Sequence, residues 1–161
     1  MFKPLSASNT EKEGGVSKVV PLVTRLLVVF AWLLCAATAR AEDIGTADRA
    51  AIAKVIQDQI AAFRVDDAAR AFGFASPGIQ AKFGTPEQFL EMVRTGYFPV
   101  YRAQDVTFRD IAIENGAPVQ AVEIHDVQGE GVLALYFMER QPDGSWKISG
   151  CILTKLPEHS V

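Results

Sequence analysis

Apolar side chains recur at spacings of four, four and three residues in the segment that follows the N-terminal region. The positions are Ile52, Ile56, Ile60 and Phe63. This spacing places them on one stripe of an amphipathic helix. Thr46 precedes the stripe and is predicted to cap the helix, because its hydroxyl can accept a hydrogen bond from the first turn.

Polar capping residues predict three shorter helices after this one. The predicted caps are Asp66, Ser76 and Thr85. Pro77 follows the second cap at the first helical position, where proline is well tolerated. Gln88 lies three residues after the third cap and completes a capping box, and Gly96 is a suitable C-terminal stop for that helix.

Apolar and polar residues alternate with a period of two in the C-terminal half, which predicts strands. The predicted strands are 106–113, 119–127, 132–140 and 146–153. Asn115-Gly116 and the glycine-containing segments 128–131 and 141–144 separate them. Helices followed by strands predict an α+β fold, with the helices on one face of an antiparallel four-stranded meander. We expect a single domain over residues 42–161, with its core at about 46–156.

The first forty-one residues have the pattern of a secretory signal peptide. A polar stretch with three lysines precedes Arg25, and the unbroken apolar run 26–37 follows. Small residues then lead to Ala41, so cleavage is predicted between Ala41 and Glu42. As a helix the run would span roughly 18 Å, against about 30 Å for a bilayer core. A retained membrane anchor is therefore the weaker alternative.

Removal of residues 1–41 would leave an acidic domain. The chain has 19 acidic and 16 basic residues, and this segment holds two of the acids and five of the bases. The remaining 17 acids and 11 bases give a formal net charge of −6. An acidic domain without a basic cluster is a poor candidate for binding nucleic acid or an anionic membrane. The predicted location is the bacterial periplasm or the medium.

Several segments of the chain resemble the bacterial family catalogued as domain of unknown function 4864. They are 61–70, 74–77, 83–87, 96–102 and 138–148. The order of elements also resembles the nuclear transport factor 2-like superfamily, which includes SnoaL-like, cystatin-like and ketosteroid-isomerase-like domains. This resemblance implies a curved sheet around the first helix and a cone-shaped pocket for catalysis or binding. It also implies homodimerisation through the sheet, a frequent arrangement in that superfamily.

Carboxylates are the first candidates for catalysis. Asp66 and Asp67 are adjacent, and adjacent helical side chains diverge by roughly 100°, which favours capping over a catalytic dyad. Glu123 and His125 share one face of a predicted strand. There they could form a general base, or two ligands of a metal site without an apparent third, or an ordinary solvated surface.

Aromatic and basic residues are the candidates for ligand binding. Tyr97, Tyr101 and Arg102 lie in a predicted loop between the last helix and the first strand, where they could hold a ligand or simply close the core. Tyr136 shares one face of the third predicted strand with Met138, and it could line an apolar cavity or belong to the core.

The fourth strand contains the remaining candidate. Strict alternation places Trp146, Ile148 and Ile152 on one face. It places Cys151 on the opposite face, with no cysteine partner once Cys35 is removed. Such a thiol could react or form an intermolecular disulfide, although buried cysteines are usually inert.

No nucleophile elbow, phosphate loop, zinc signature or dinucleotide fingerprint is present in the sequence, and no cofactor is predicted. The sequence therefore favours an exported, non-catalytic domain that binds a small, partly apolar ligand or a protein partner. The alternative is an isomerase, lyase or hydratase that uses a buried carboxylate or His125 in the pocket.

Overall fold

The computed structural model describes residues 44–156. The predicted signal peptide and its cleavage between Ala41 and Glu42 lie outside the described residues. Five helices come first, and four strands follow them. The helices are α1 (Thr46–Arg64), α2 (Ala68–Gly73), α3 (Pro77–Phe83), α4 (Pro86–Gly96) and α5 (Phe98–Tyr101). The strands are β1 (Ala103–Glu114), β2 (Ala117–Asp126), β3 (Gly131–Arg140) and β4 (Trp146–Lys155).

The four strands form one antiparallel sheet in the order β1-β2-β3-β4, so each strand pairs with its neighbour in sequence. The turn between β1 and β2 lies at Asn115-Gly116, as predicted, and both residues have positive φ angles of 51° and 80°. Asparagine and glycine adopt this left-handed conformation more readily than other residues do. The α+β fold with a four-stranded antiparallel sheet is confirmed.

The core lies between the helices and the inner face of the sheet. The predicted stripe of α1 is fully buried: Ile52, Ile56, Ile60 and Phe63 are at most 2% exposed. On the sheet side, Val122 and Ile124 of β2 are completely buried. The helices therefore cover this face because the period of 3.6 in α1 and the period of two in β2 both present apolar side chains to it.

Trp146 and Arg140 both contact the carboxylate of Asp48, which lies far from them in sequence. The indole Nε1 of Trp146, the first residue of β4, donates to Asp48 Oδ1 in the first turn of α1 at 3.0 Å. Arg140, at the end of β3, lies 3.6 Å from the other carboxylate oxygen of Asp48. The last strand thus closes directly on the first helix.

Four caps were predicted, and the structure changes two of them. Ser76 and Thr85 accept hydrogen bonds from the third residue of their helices, as predicted. The cap of α1 is Gly45, and Thr46 is already helical. The cap of α2 is Asp67, whose Oδ1 accepts from the Arg70 N–H at 3.0 Å. Asp66 was the predicted cap, but it has a φ of 55° and belongs to the turn that ends α1.

The segment predicted to be a loop between the last helix and the first strand contains α5. The carbonyls of Tyr97 and Phe98 accept from the N–H groups three or four residues on, which closes a single helical turn. Pro99 suits the first turn of a helix because its missing N–H would have no partner there. This turn buries Val100 and Tyr101.

A bulge interrupts the pairing of β3 with β4. Met138 pairs with Ile148 and the preceding Phe137 pairs with Gly150, so Ser149 is an extra residue on β4. An extra residue inverts the alternation of side chains beyond it. The prediction of one continuous face along β4 is therefore wrong.

The inverted segment exchanges two predicted orientations. Trp146 and Ile148, before the bulge, are buried as predicted. Beyond it, Cys151 and Leu153 pack against the core, whereas Ile152 is 51% exposed. Cys151 thus lies on the face of Trp146 and Ile148, which Ile152 was predicted to share with them.

Within residues 44–156, none of the helices combines the length and hydropathy needed to cross a bilayer.

Candidate functional site

A cavity of about 680 Å³ lies between α3 and α4 on one side and β3 and β4 on the other. Gln59 and Phe63 of α1 and Tyr136 of β3 belong to its buried wall, since each is at most 3% exposed. Exposed residues of α3 and β4, Lys82 and Ser149 among them, also line it. The cavity therefore extends from the surface into the core between the two layers.

Aromatic rings form a large part of the cavity wall. Phe63, Phe83 and Phe89 line it. The ring centroid of Phe89 lies 6.1 Å from that of Phe63 and 5.7 Å from that of Phe83. Aliphatic residues complete the wall, chiefly Ile79, Val93, Val100 and Ile148. Such a surface favours an apolar occupant.

Two polar side chains of the sheet face this cavity because of the strand geometry. Tyr136 and Cys151 are paired residues of β3 and β4, and both line the cavity. Tyr136 faces the helices because it has the same parity as the buried Ala134 and Met138. Cys151 faces them only because the bulge at Ser149 inverts the alternation of β4. The bulge therefore determines which groups line this wall.

The Tyr136 hydroxyl is buried and has no hydrogen-bond partner among the described residues. Its residue is 1% exposed. Burial raises the pKa of Tyr136 well above its ordinary value of 10, and the nearby Cys151 raises it further. Burial also raises the pKa of the Cys151 thiol to about 12. Both groups are therefore neutral near pH 7, and ionised groups are strongly disfavoured in this part of the wall.

Tyr97 also lines the cavity, but its hydroxyl is satisfied. It donates to the carbonyl oxygen of Cys151 at 3.1 Å and so connects the end of α4 to β4. Burial raises the pKa of Tyr97, with a smaller contribution from Cys151. Tyr97 and Tyr136 therefore both line the cavity, but among the described residues only the Tyr97 hydroxyl has a hydrogen-bond partner.

Tyr101 and Arg102 lie outside the cavity lining and form a cluster with Asp66. The Tyr101 hydroxyl donates to Asp66 Oδ1. Arg102 Nη2 donates to both carboxylate oxygens of Asp66, at 2.8 and 3.1 Å. The Arg102 guanidinium also stacks 3.6 Å above the centre of the Tyr101 ring.

This cluster ties the end of α1 to the start of the sheet. Arg102 Nη1 donates to the carbonyl of Phe63 at 2.8 Å, and Asp66 lies two residues after the end of α1. The hydrogen bond from Tyr101, followed by that from Arg102, lowers the pKa of Asp66 below its ordinary value. The hydrogen bond to Asp66, followed by burial, raises the pKa of Tyr101. The arrangement supports the interpretation in which these residues close the core.

Glu123 and His125 lie on the sheet face opposite the helices, away from the cavity. The Glu123 carboxylate accepts from Arg109 Nε at 3.1 Å, and His125 Nε2 lies 4.0 Å from Glu123 Oε1. The His125 side chain is 40% exposed. Within residues 44–156, no group of three or more His, Cys, Asp or Glu side chains is placed to hold a metal ion.

The structure thus separates the residues that the sequence singled out. Tyr97 and Tyr136 lie at the cavity, whereas Tyr101, Arg102 and Asp66 form a structural cluster. Sequence analysis missed the contribution of α3, which supplies Gly78, Ile79, Lys82 and Phe83 to the lining. The available signal was weak: α3 has no fully buried residue, so its apolar side chains do not form a long stripe.

The comparison with protein families gives one result. Residues 45–161 match the family described as "Domain of unknown function (DUF4864)". Neither the curated proteins nor the solved structures contain a significant match. The matched segment includes every helix and strand described above and every residue that lines the cavity. The chain therefore belongs to the DUF4864 family.

Proposed function

We propose that this domain binds a small, largely apolar ligand in the cavity between the helices and the sheet. The observation that carries the proposal is the cavity itself, with a volume of about 680 Å³ and a wall of phenylalanine and aliphatic side chains. Ligand sites in proteins typically enclose roughly 300–1,000 Å³ and combine an apolar lining with a few polar groups. The volume and the lining both lie within this description.

The apolar wall supplies the energy for such binding. Removing apolar surface from water contributes about 25 cal/mol per Å², so a ligand that buries about 300 Å² gains roughly 7 kcal/mol. The loss of translational and rotational freedom offsets part of this gain. We therefore expect dissociation constants between about 10 µM and 1 mM for simple aromatic ligands.

The positions of the titratable candidates favour binding over catalysis. The enzymatic alternative requires a carboxylate or His125 inside the pocket, but Asp66, Glu123 and His125 are not part of the lining. Glu139 is the carboxylate residue that does line the cavity, and it is exposed. Among the described residues, the cavity lining therefore contains no buried carboxylate or imidazole, which the enzymatic alternative requires.

The proposal includes the compartment predicted from the sequence. The N-terminal pattern favours export, so the expected ligand is one that the protein encounters in the periplasm or the medium. A protein partner or a second copy on the outer face of the sheet is compatible with ligand binding, because the cavity lies on the other face.

A fluorescent probe tests the proposal. N-phenyl-1-naphthylamine is neutral and fluoresces strongly when it leaves water for an apolar site. We expect saturable binding with about one probe per chain. Met92→Trp should weaken binding at least tenfold, because Met92 lines the cavity and the larger ring would fill part of it.

Leu90→Trp is the matched control for this variant. Leu90 belongs to the same helix and is also half-buried, but it does not line the cavity. The control should bind the probe with an affinity within about twofold of the wild-type value. Equal loss in both variants, or no saturable binding by the wild-type chain, would contradict the proposal.

A further inference from the structure

We propose that the ligand is an uncharged molecule whose apolar body carries a hydrogen-bond-accepting oxygen, and that this oxygen pairs with the Tyr136 hydroxyl. This inference rests on the proposed function, because it specifies the chemistry of the ligand that the cavity would hold. It makes Tyr136 the residue that distinguishes an oxygen-bearing ligand from a hydrocarbon of the same shape.

The first argument is the unpaired hydroxyl. Tyr136 lines the cavity, is 1% exposed, and its hydroxyl lacks a hydrogen-bond partner among the described residues. Buried polar groups are nearly always paired, and an exception calls for a reason. A phenol is a good donor, so a ligand oxygen that reaches it recovers a bond that the folded chain does not make by itself.

The contrast with Tyr97 strengthens this argument. Tyr97 is a second phenol of the same cavity, and its hydroxyl donates to the Cys151 carbonyl at 3.1 Å. A phenylalanine in place of Tyr136 would fill the same space in the core without the unpaired group. The packing of the core therefore gives no reason for the hydroxyl, whereas a ligand oxygen does.

The second argument concerns charge. The buried residues of the cavity lining are uncharged, with Gln59, Phe63 and Val100 among them. Lys82 is the cationic residue of the lining, but it is exposed and its ammonium group lies over the Phe83 ring. A buried anion without a cationic partner is strongly disfavoured. Burial also raises the pKa values of Tyr136 and Cys151, and the same loss of water would disfavour a charged ligand beside them.

Three probes with one skeleton test the inference on the full chain. They are 2-acetylnaphthalene, 2-ethylnaphthalene and 2-naphthoate, which carry a neutral carbonyl, no oxygen and a carboxylate at the same position. Dissociation constants are measured by isothermal titration calorimetry for the wild type and for Tyr136→Phe. Tyr97→Phe is the control, because it removes a phenol of the same cavity that already has a partner.

We expect Tyr136→Phe to weaken binding of the ketone about three- to tenfold, which is the range for the loss of one neutral hydrogen bond. The same variant should leave binding of the hydrocarbon within about twofold. Tyr97→Phe should not change the ratio of the two affinities. The wild type should bind the carboxylate at least about tenfold more weakly than the ketone.

The outcomes separate this inference from the proposed function. If the hydrocarbon binds but Tyr136→Phe leaves the ketone unaffected, the role of Tyr136 is overturned and the apolar site stands. If the carboxylate binds as tightly as the ketone, the requirement for an uncharged ligand is overturned. If none of the probes binds to a chain that thermal unfolding shows to be folded, both proposals are overturned.

Discussion

At the scale of single residues, the two phenols of the cavity differ in one hydrogen bond. The Tyr97 hydroxyl has a partner in the Cys151 carbonyl, whereas the Tyr136 hydroxyl is buried without one among the described residues. A group that lost its water on folding and gained no partner lowers the stability of the native state. Binding groups often carry such a cost, because they are selected for the ligand and not for the unliganded fold.

This difference predicts opposite effects of the same substitution. Tyr136→Phe removes an unsatisfied polar group, so we expect it to raise the free energy of unfolding by about 1 kcal/mol. Tyr97→Phe removes a satisfied hydrogen bond and should lower the free energy of unfolding by about 1 kcal/mol. Urea denaturation of the ligand-free chain measures both values. A loss of stability in Tyr136→Phe would show that its hydroxyl has a partner in the native state.

The Asp66 cluster predicts a dependence of stability on pH. The pKa of Asp66 is lower in the folded chain than in the unfolded chain, because Tyr101 and Arg102 donate to its carboxylate. The stabilisation is therefore complete above the unfolded pKa of about 3.9, and it is lost as the pH falls through the lower folded value.

We expect Asp66→Asn to have a lower Tm than the wild type at pH 6. The difference between the two should shrink as the pH falls below about 4, because the wild-type carboxylate then takes up a proton and loses its negative charge. Thermal unfolding followed by circular dichroism over this pH range measures it. A difference in Tm that stays constant down to pH 2 would show that the charge of Asp66 is unimportant for the cluster.

At the scale of elements, the extra residue in β4 has the largest effect on the cavity. Because Ser149 is inserted opposite β3, Cys151 lies against the core and Ile152 is exposed. A β-bulge is a local event in backbone geometry, but it changes the face of every side chain that follows it.

Thiol reactivity reports this inversion. In a Cys35→Ser background, Cys151 should react slowly with 5,5′-dithiobis(2-nitrobenzoate) at pH 8, because its pKa of about 12 leaves little thiolate. Ile152→Cys, combined with Cys151→Ser, places the thiol at a position that is 51% exposed. We expect the second thiol to react at least about a hundredfold faster. Similar rates would mean that β4 has no bulge in solution.

The cap of α2 gives a second test at this scale. Asp67 accepts the N–H of Arg70 and is the N-cap of α2, whereas its neighbour Asp66 is engaged elsewhere. Asp67→Ala should lower the free energy of unfolding by about 1 kcal/mol, the usual value for a lost cap. Asp67→Ser, which can still accept the N–H, should recover most of that loss in the same denaturation assay.

Elements whose signal is local could be predicted from the sequence. The α1 stripe, the caps Ser76 and Thr85 and the turn at Asn115-Gly116 depend on residues within a few positions of one another, and the structure contains all of them. The bulge at Ser149 depends on pairing with β3, so it leaves no mark in the period of β4 itself.

The candidate site was less predictable for the same reason. The sequence indicates Tyr97 as an aromatic residue of a predicted loop and Tyr136 as an aromatic residue on one face of a predicted strand. Tyr101 and Arg102 instead contact Asp66. The helical turn of α5 and the left-handed backbone conformation of Asp66 bring these three residues together. Neither feature has a short-range pattern that would reveal it.

At the scale of the whole molecule, the predicted processing can be tested directly. We expect the protein recovered from the exported fraction of an expressing bacterium to begin at Glu42, because the small residues before it suit a signal peptidase. Intact mass spectrometry measures the N-terminus. A mass that retains residues 1–41 would favour the membrane-anchor alternative, and native spectra of the same sample would test the predicted homodimer.

The closure of Trp146 on Asp48 has a consequence for how the chain acquires its structure. The first helix is made early, but its hydrogen-bond partner at the start of β4 follows almost a hundred residues later along the chain. The sheet can grow hairpin by hairpin, yet the layer of helices lacks one of its contacts until the last strand arrives. The core therefore remains incomplete while the chain is still emerging from a ribosome or an export channel. The contact between the first helix and the last strand is completed only when nearly all of the domain has been released.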